Sequence, residues 1–296
     1  MRTQLVVSTP AFLDLTFVGL ESLPKEGEER FAGDLVRSPG GGAITAVAAA
    51  RLGLRTALIA PLGSDLAGDY VRREVEAEGV AVTDFKSDRT PQTVVMPVGS
   101  NRTMVTVDPG VRARAADLAA LEPVAAAVNL EQVALVPEGT RMYVTCGDDD
   151  ARAYARRLPP QLKGARGLFV SASDANVLTG TDSAEAAAEQ LGEVVDTVVV
   201  VLGLDGRIIA RHGGGWIDVP EFDTGSIVDP TGDRDLLCAA YAWADLQDLP
   251  IEQSIAWAQL YNRLAMTVPT ATGNAVTEQR LLREGAEHGL VAPSRA

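Results

Sequence analysis

The sequence predicts an α/β fold: a doubly wound, mostly parallel sheet flanked by helices, with a small β-sheet beside it. Three observations predict this. Short β-rich runs alternate with alanine-rich helical stretches, the order that builds parallel strands joined by right-handed crossovers. Residues 197–202 (TVVVVL) are apolar on both faces, as in a strand covered on both sides. Two further pairs of runs break the alternation and read as strand pairs. The chain has 296 residues. A single domain of that size buries roughly three-quarters of its unfolded surface and needs no disulfide or metal to hold it.

Taken in order, residues 5–8 read as the first strand and 42–52 (GAITAVAAARL) as a helix packed through small side chains. A short apolar strand follows at 56–60. Residues 64–78 form an amphipathic helix, with Leu66, Tyr70, Val71 and Val75 near helical spacing. The alanine-rich run 116–128 reads as a helix, 141–146 and 167–171 as strands, and 182–195 as a helix leading into 197–202. The first extra strand pair is 12–18 with 30–36, across GLESLPKEGEE. The second is 93–98 with 103–107, across a turn at Gly99, Ser100, Asn101 and Arg102. Their small sheet either covers a site as a lid or protects an edge of the main sheet. The expectation is one domain, 1–296, with lid strands inserted at about 12–36 and 92–107. The last third is helical, at 236–248, 251–268 and 278–288.

Charge and composition narrow the function. There are 26 Lys and Arg against 40 Asp and Glu, a net charge of −14. Such a surface has no electrostatic footprint for nucleic acid and is repelled by an anionic membrane. No stretch of 18 apolar residues predicts a membrane span. Thr3, Ser8, Pro10 and Asp14 interrupt the N-terminal stretch, so no signal peptide is expected. Cys146 and Cys238 make no disulfide framework and no CxxC metal site, which fits reduced thiols in a cytoplasmic protein. With only His212 and His288, histidine-based triads and HExxH sites are excluded.

The segment DPTGDRD (229–235), leading into an apolar helix, carries the most chemistry. A helix N-terminus offers unpaired N–H groups and about half a positive charge, and a preceding glycine lets an anion approach the backbone. A carboxylate in the same turn can take a proton from an attacking hydroxyl. Equally, Asp233 and Asp235 can simply cap the helix.

DPTGDRDLLCAAY resembles the C-terminal motif of the ribokinase-like (PfkB) carbohydrate kinases, D-T-x-G-A-G-D-x-F. PGGGAITAVAAARLGLRTALIAPLGSDLAGDYVRREVEAEGV (39–80) resembles their glycine-rich N-terminal motif and the βα unit after it. The order of motifs agrees along nearly the whole chain. The resemblance implies an ATP-dependent kinase acting on a hydroxyl of a sugar, nucleoside or related small polyol. It implies Asp235 as general base, and Gly232, Asp233 and Arg234 as the anion hole. On the substrate side it implies Asp14 with Gly40, Gly41 and Gly42. On the nucleotide side it implies Gly203, Gly206 and Asn262. It further implies ATP and Mg2+ as cofactors, admits a monovalent cation, and suggests a homodimer through the lid. Phe12, Phe17, Val94 and Met96 would supply an apolar lid face or line the substrate pocket.

Three departures from the family pattern stand out. Asp233–Arg234 replaces Ala-Gly before the base. If position 234 requires positive φ, arginine there costs about 1–2 kcal/mol. A phosphate about 4 Å from Asp233 would be repelled by roughly 4 kcal/mol at an effective dielectric near 20. Arg234 either reaches the phosphate itself or folds onto Asp235 or Asp174. SASD, with Ser171 and Asp174, replaces N-x-x-E, which organises magnesium and phosphate through water. Asp174 has a shorter reach and otherwise reads as a helix cap. Ile44 stands at or near the position where many members of the family have an asparagine that binds sugar hydroxyls, and isoleucine cannot hydrogen-bond. These changes leave an alternative, a catalytically impaired relative that binds nucleotide or a small metabolite without turnover.

Overall fold

A computed structural model describes residues 2–84, 87–98, 101–268, 272–273 and 275–293. The central sheet has nine strands. Its parallel body comprises β1 (Leu5–Ser8), β4 (Thr56–Ala60), β5 (Ala81–Asp84), β8 (Ala125–Asn129), β9 (Arg141–Thr145), β10 (Ala165–Ser171) and β11 (Thr197–Val201). At one edge β12 (Ile208–His212) and β13 (Gly215–Ile217) turn antiparallel, giving the order β13-β12-β11-β10-β9-β8-β1-β4-β5. Alternate residues of each strand enter opposite cores. Leu5 and Val7 pack on one side of the sheet and Val6 on the other, which explains why these strands are apolar at every position.

One face is covered by α1 (Gly42–Arg51), α2 (Leu66–Ala77), α7 (Asp233–Asp245), α8 (Ile251–Ala265) and α9 (Glu278–Glu287). The other carries α3 (Ala115–Ala119), α4 (Asp148–Ala153), α5 (Ala172–Thr179) and α6 (Ala184–Leu191). Helices α1 and α7 meet through alanines, Ala43 and Ala46 on one and Ala239 and Ala240 on the other, all fully buried. Side chains this small let the two helix N-termini lie close together. Trp243 and Trp257 stack edge to face at 5.8 Å between α7 and α8, and Trp243 and Tyr241 are core residues.

The second sheet has four strands in the order β3-β2-β6-β7. They are β2 (Ala11–Val18), β3 (Asp34–Gly41), β6 (Gln92–Val98) and β7 (Asn101–Val107). Both sequence-predicted strand pairs are present and antiparallel. The return strand of the first pair runs later than 30–36 and carries Gly40 and Gly41. Asn101 and Arg102 belong to β7 rather than to the turn, with Val98 opposite Asn101; Gly99 and Ser100 lie outside the described residues.

The run expected as one helix at 116–128 is instead the five-residue α3 and the strand β8. Pro123 stops the helix, and the alanines of β8 sit fully buried between β1 and β9. Burial in the middle of the sheet overrides the helical propensity of alanine. Helix α7 starts at Asp233, three residues before the apolar run at 236, so Asp233 and Asp235 both fall in its first turn.

Candidate active site

The site lies at the C-terminal edge of the parallel strands, facing the lid. Gly232 takes φ +81° and ψ 15° immediately before α7, a left-handed conformation that glycine adopts without a Cβ penalty. The turn ahead of it is set by Asp229 Oδ1, which accepts from Thr231 N at 2.9 Å. The N–H groups of Gly232 and Asp233 have no acceptor among the described residues, so they remain available at the positive end of a thirteen-residue helix. The Arg234 N–H is taken by Asp233 Oδ1 at 2.7 Å.

Asp235 points towards α1, where Thr45 Oγ1 donates to its Oδ1 at 3.1 Å. It makes no described ion pair. Burial pushes its carboxyl up to about 6, while Arg234 and the Thr45 hydrogen bond pull the other way. Thr45 has no counterpart in the sequence reasoning. It lies inside the glycine-rich stretch 39–80 without a role assigned to it, and only the packing of α1 on α7 brings it to Asp235. Its neighbour Ile44 is 3% exposed and belongs to the core.

Asp14 extends from β2 with its carboxylate against the backbone of Gly40 on β3. A Cβ on Gly40 would overlap that carboxylate, so glycine is required there by space. Cβ atoms on Gly41 and Gly42 would likewise strike Phe12 and Thr9. Burial, and then the nearby charge of Asp235, push the Asp14 carboxyl up to about 7, opposed by a hydrogen bond from Thr93 and by Arg102. Two buried oxygens at neighbouring strand ends, Thr9 Oγ1 and Asn129 Oδ1, have no partner.

Between the lid and the strand ends lies a cavity of about 800 Å³, within the range of small-molecule and cofactor sites. Phe17, Pro97 and Arg102 wall it from the lid, and Asp205, Asp229 and Arg263 from below. The turn from Gly203 to Gly206 is fixed to α8 by Arg263, which donates to Asp205 O, and by Gln259 Nε2, which donates to Gly206 O at 3.0 Å. Asn262, one turn along α8, is fully buried with both amide atoms unpaired. Unpaired buried polar atoms are costly, and these suit a ligand or an enclosed water.

Arg234 turns away from Asp235. Its Nη1 donates to Asp174 Oδ2 and to the Cys146 carbonyl, each at 2.7 Å, and its Nε lies 3.5 Å from Asp233 Oδ1. It sits in α7 with ordinary helical φ, so no positive φ is demanded at 234. Ser171 is the N-cap of α5, accepting from Asp174 N and donating to Asp174 Oδ2 at 2.7 Å. Among the described residues no group of three His, Cys, Asp or Glu side chains could hold a metal. A cation, the guanidinium, already occupies Asp174, so Ser171 and Asp174 as arranged do not fit a magnesium-organising pair.

Comparisons with known proteins show the family and the fold. Residues 11–278 match the pfkB family carbohydrate kinases. The chain belongs to that family. It is 24% identical over 269 residues to a ribokinase of Haemophilus influenzae, covering 84% of this chain and 87% of that one. Its fold matches Arabidopsis thaliana ribokinase complexed with ribose and ATP, at TM-score 0.79 and 23% identity over 96% of this chain and 99% of that one. It also matches Xylella fastidiosa fructokinase with bound ATP, at TM-score 0.76 and 17% identity over 96% and 99%.

Proposed function

We propose that this protein transfers the terminal phosphoryl group of ATP to a hydroxyl of a sugar, nucleoside or related small polyol. The observation that carries this reading is the state of Asp235. Its carboxylate accepts from one threonine hydroxyl and makes no ion pair among the described residues, close to helix N–H groups without an acceptor among them, with its carboxyl pushed up to about 6. A base poised near neutrality suits proton removal from an alcohol.

In this reading the acceptor lies against Gly40, Gly41 and Gly42, with its hydroxyls on Asp14. Asp235 takes the proton of the attacking hydroxyl as the oxygen bonds to the terminal phosphorus and the bond from that phosphorus to the bridging oxygen breaks, releasing ADP. The N–H groups of Gly232 and Asp233 and the helix dipole stabilise the charge on the phosphoryl oxygens. The nucleotide occupies the cavity beside Gly203, Gly206 and Asn262. The ATP-bound relatives support that choice of donor. Magnesium would enter with the phosphates rather than on protein ligands. We assign no residue to a monovalent cation. A homodimer through the lid would cover Val105 and Val107, both exposed on β7, and a cytoplasmic setting suits the two free cysteines.

A coupled assay over a panel of sugars and nucleosides tests this. Asp235→Asn should lower kcat by about 10²–10⁴-fold while acceptor affinity stays within a few fold. Turnover unchanged by that substitution removes Asp235 from the mechanism.

A further inference from the structure

We propose that Arg234 is the resident cation of the phosphoryl site: Asp174 and the Cys146 carbonyl hold its guanidinium so that Nη2 meets the terminal phosphate of the nucleotide. This rests on the kinase reading above and adds a residue to it.

The geometry divides the five N–H donors of the guanidinium. Both hydrogens of Nη1 are spent, on Asp174 Oδ2 and Cys146 O. Nε faces Asp233 Oδ1. Nη2, with two donors, has no acceptor among the described residues and is not sealed from solvent. The Arg234 side chain as a whole is 26% exposed, its anchor Asp174 only 9%. A half-anchored guanidinium with its other nitrogen open is arranged to bind an oxyanion at fixed position, with little side-chain entropy left to lose. The position follows from the chain. Arg234 is the second residue of α7, directly after Gly232 and Asp233 with their free N–H groups and adjacent to Asp235. Asp174 and Asp233 both lie on the guanidinium, so its one positive charge offsets part of the negative charge that Asp233 brings to the turn. Asp174 is therefore the anchor of the arginine and not an independent organiser of metal.

The test is calorimetric binding of ATP and ADP, at fixed magnesium, to wild type, Arg234→Met, Arg234→Lys, Asp174→Asn and the Arg234→Met/Asp174→Asn double variant. Arg234→Met should weaken ATP by about 10–100-fold, the range for loss of a charge-assisted hydrogen bond, and leave ADP within about threefold. Lysine should restore part of the loss. Asp174→Asn should weaken ATP alone, but add nothing in the Arg234→Met background, because its effect runs through the arginine. Equal losses for ATP and ADP, an unchanged ATP affinity in Arg234→Met, or losses that multiply in the double variant would each overturn the assignment. If the methionine variant does not fold, the lysine and asparagine variants carry the same ATP-against-ADP comparison. Wild-type protein that binds neither nucleotide would sink the kinase reading and this inference together. Wild-type turnover that depends on Asp235 but not on Arg234 would sink only the inference.

Discussion

Replacing Asp14 by asparagine should make the protein more stable, and by an amount that depends on pH. The carboxyl group of Asp14 is raised from 3.8 to about 7, first by burial and then by the charge of Asp235. At about 1.4 kcal/mol per pH unit, holding it ionised in the fold costs at most about 4 kcal/mol. Partial solvent access reduces this to about 2–3 kcal/mol. The sign follows from proton uptake. Between pH 4 and 7 the folded chain holds a proton that the unfolded chain releases, so this group makes the wild type less stable as pH rises. Above pH 7 the penalty is constant, and below pH 4 it vanishes. Asparagine has the same shape and no charge to desolvate. Urea unfolding should therefore show Asp14→Asn more stable than wild type by about 2–3 kcal/mol at pH 8, with less than half that gain at pH 5. A gain that does not change with pH, or none at pH 8, would refute the argument that burial raises this carboxyl group. The same variant should lose acceptor affinity, the trade of stability for function expected where a charge is held in a binding site.

Two other substitutions probe the turn and the base. Gly232→Ala forces an L side chain to φ +81°, costing about 1–2 kcal/mol, so calorimetry should record a Tm lower by roughly 2–6 °C. Thr45→Val removes the hydrogen bond that holds down the Asp235 carboxyl. The acid limb of the kcat/KM profile, where activity falls as Asp235 takes up a proton, should then move up by about 0.5–1 pH unit, with activity near wild type at pH 8.

Much of the parallel sheet was legible because two-sided burial leaves a signature in each strand. Residues 5–8 and 56–60 coincide with β1 and β4, where nothing but apolar or small residues could fit between two cores. β8 was illegible for the opposite reason. Its AAAV core has the local preference of a helix, and only its position between β1 and β9 makes it a strand. Within the site, Asp14 and Gly40 are named only through the family resemblance, and Gly232 also through its place just before a helix; the structure adds that a Cβ on Gly40 would overlap the Asp14 carboxylate and that Gly232 is left-handed. Thr45 and Thr93 could not be found, because their hydrogen bonds arise from contacts between segments far apart in the chain; the folding of Arg234 onto Asp174 was one of the alternatives the sequence left open, and the structure shows which one is taken. Asp174 and Arg234 are 60 residues apart.

That last contact changes how the two motif departures are understood. Taken separately, arginine in place of glycine at 234 and a shortened carboxylate at 174 each weaken a phosphate site. In the fold they are one arrangement. Position 234 is helical, so glycine is not needed there for its backbone; the left-handed residue is Gly232. What a small residue at 234 provides is space above the turn, and an arginine restores that space only if its side chain is drawn aside. Asp174 draws it aside at 2.7 Å. The carboxylate thus holds the cation aside, and the cation's one positive charge offsets one of the two negative charges of Asp174 and the added Asp233. The substitutions that argue against catalysis when counted as losses leave the amides of Gly232 and Asp233 open, Asp235 outside any described ion pair, and one more positive group beside the place where phosphate charge would gather.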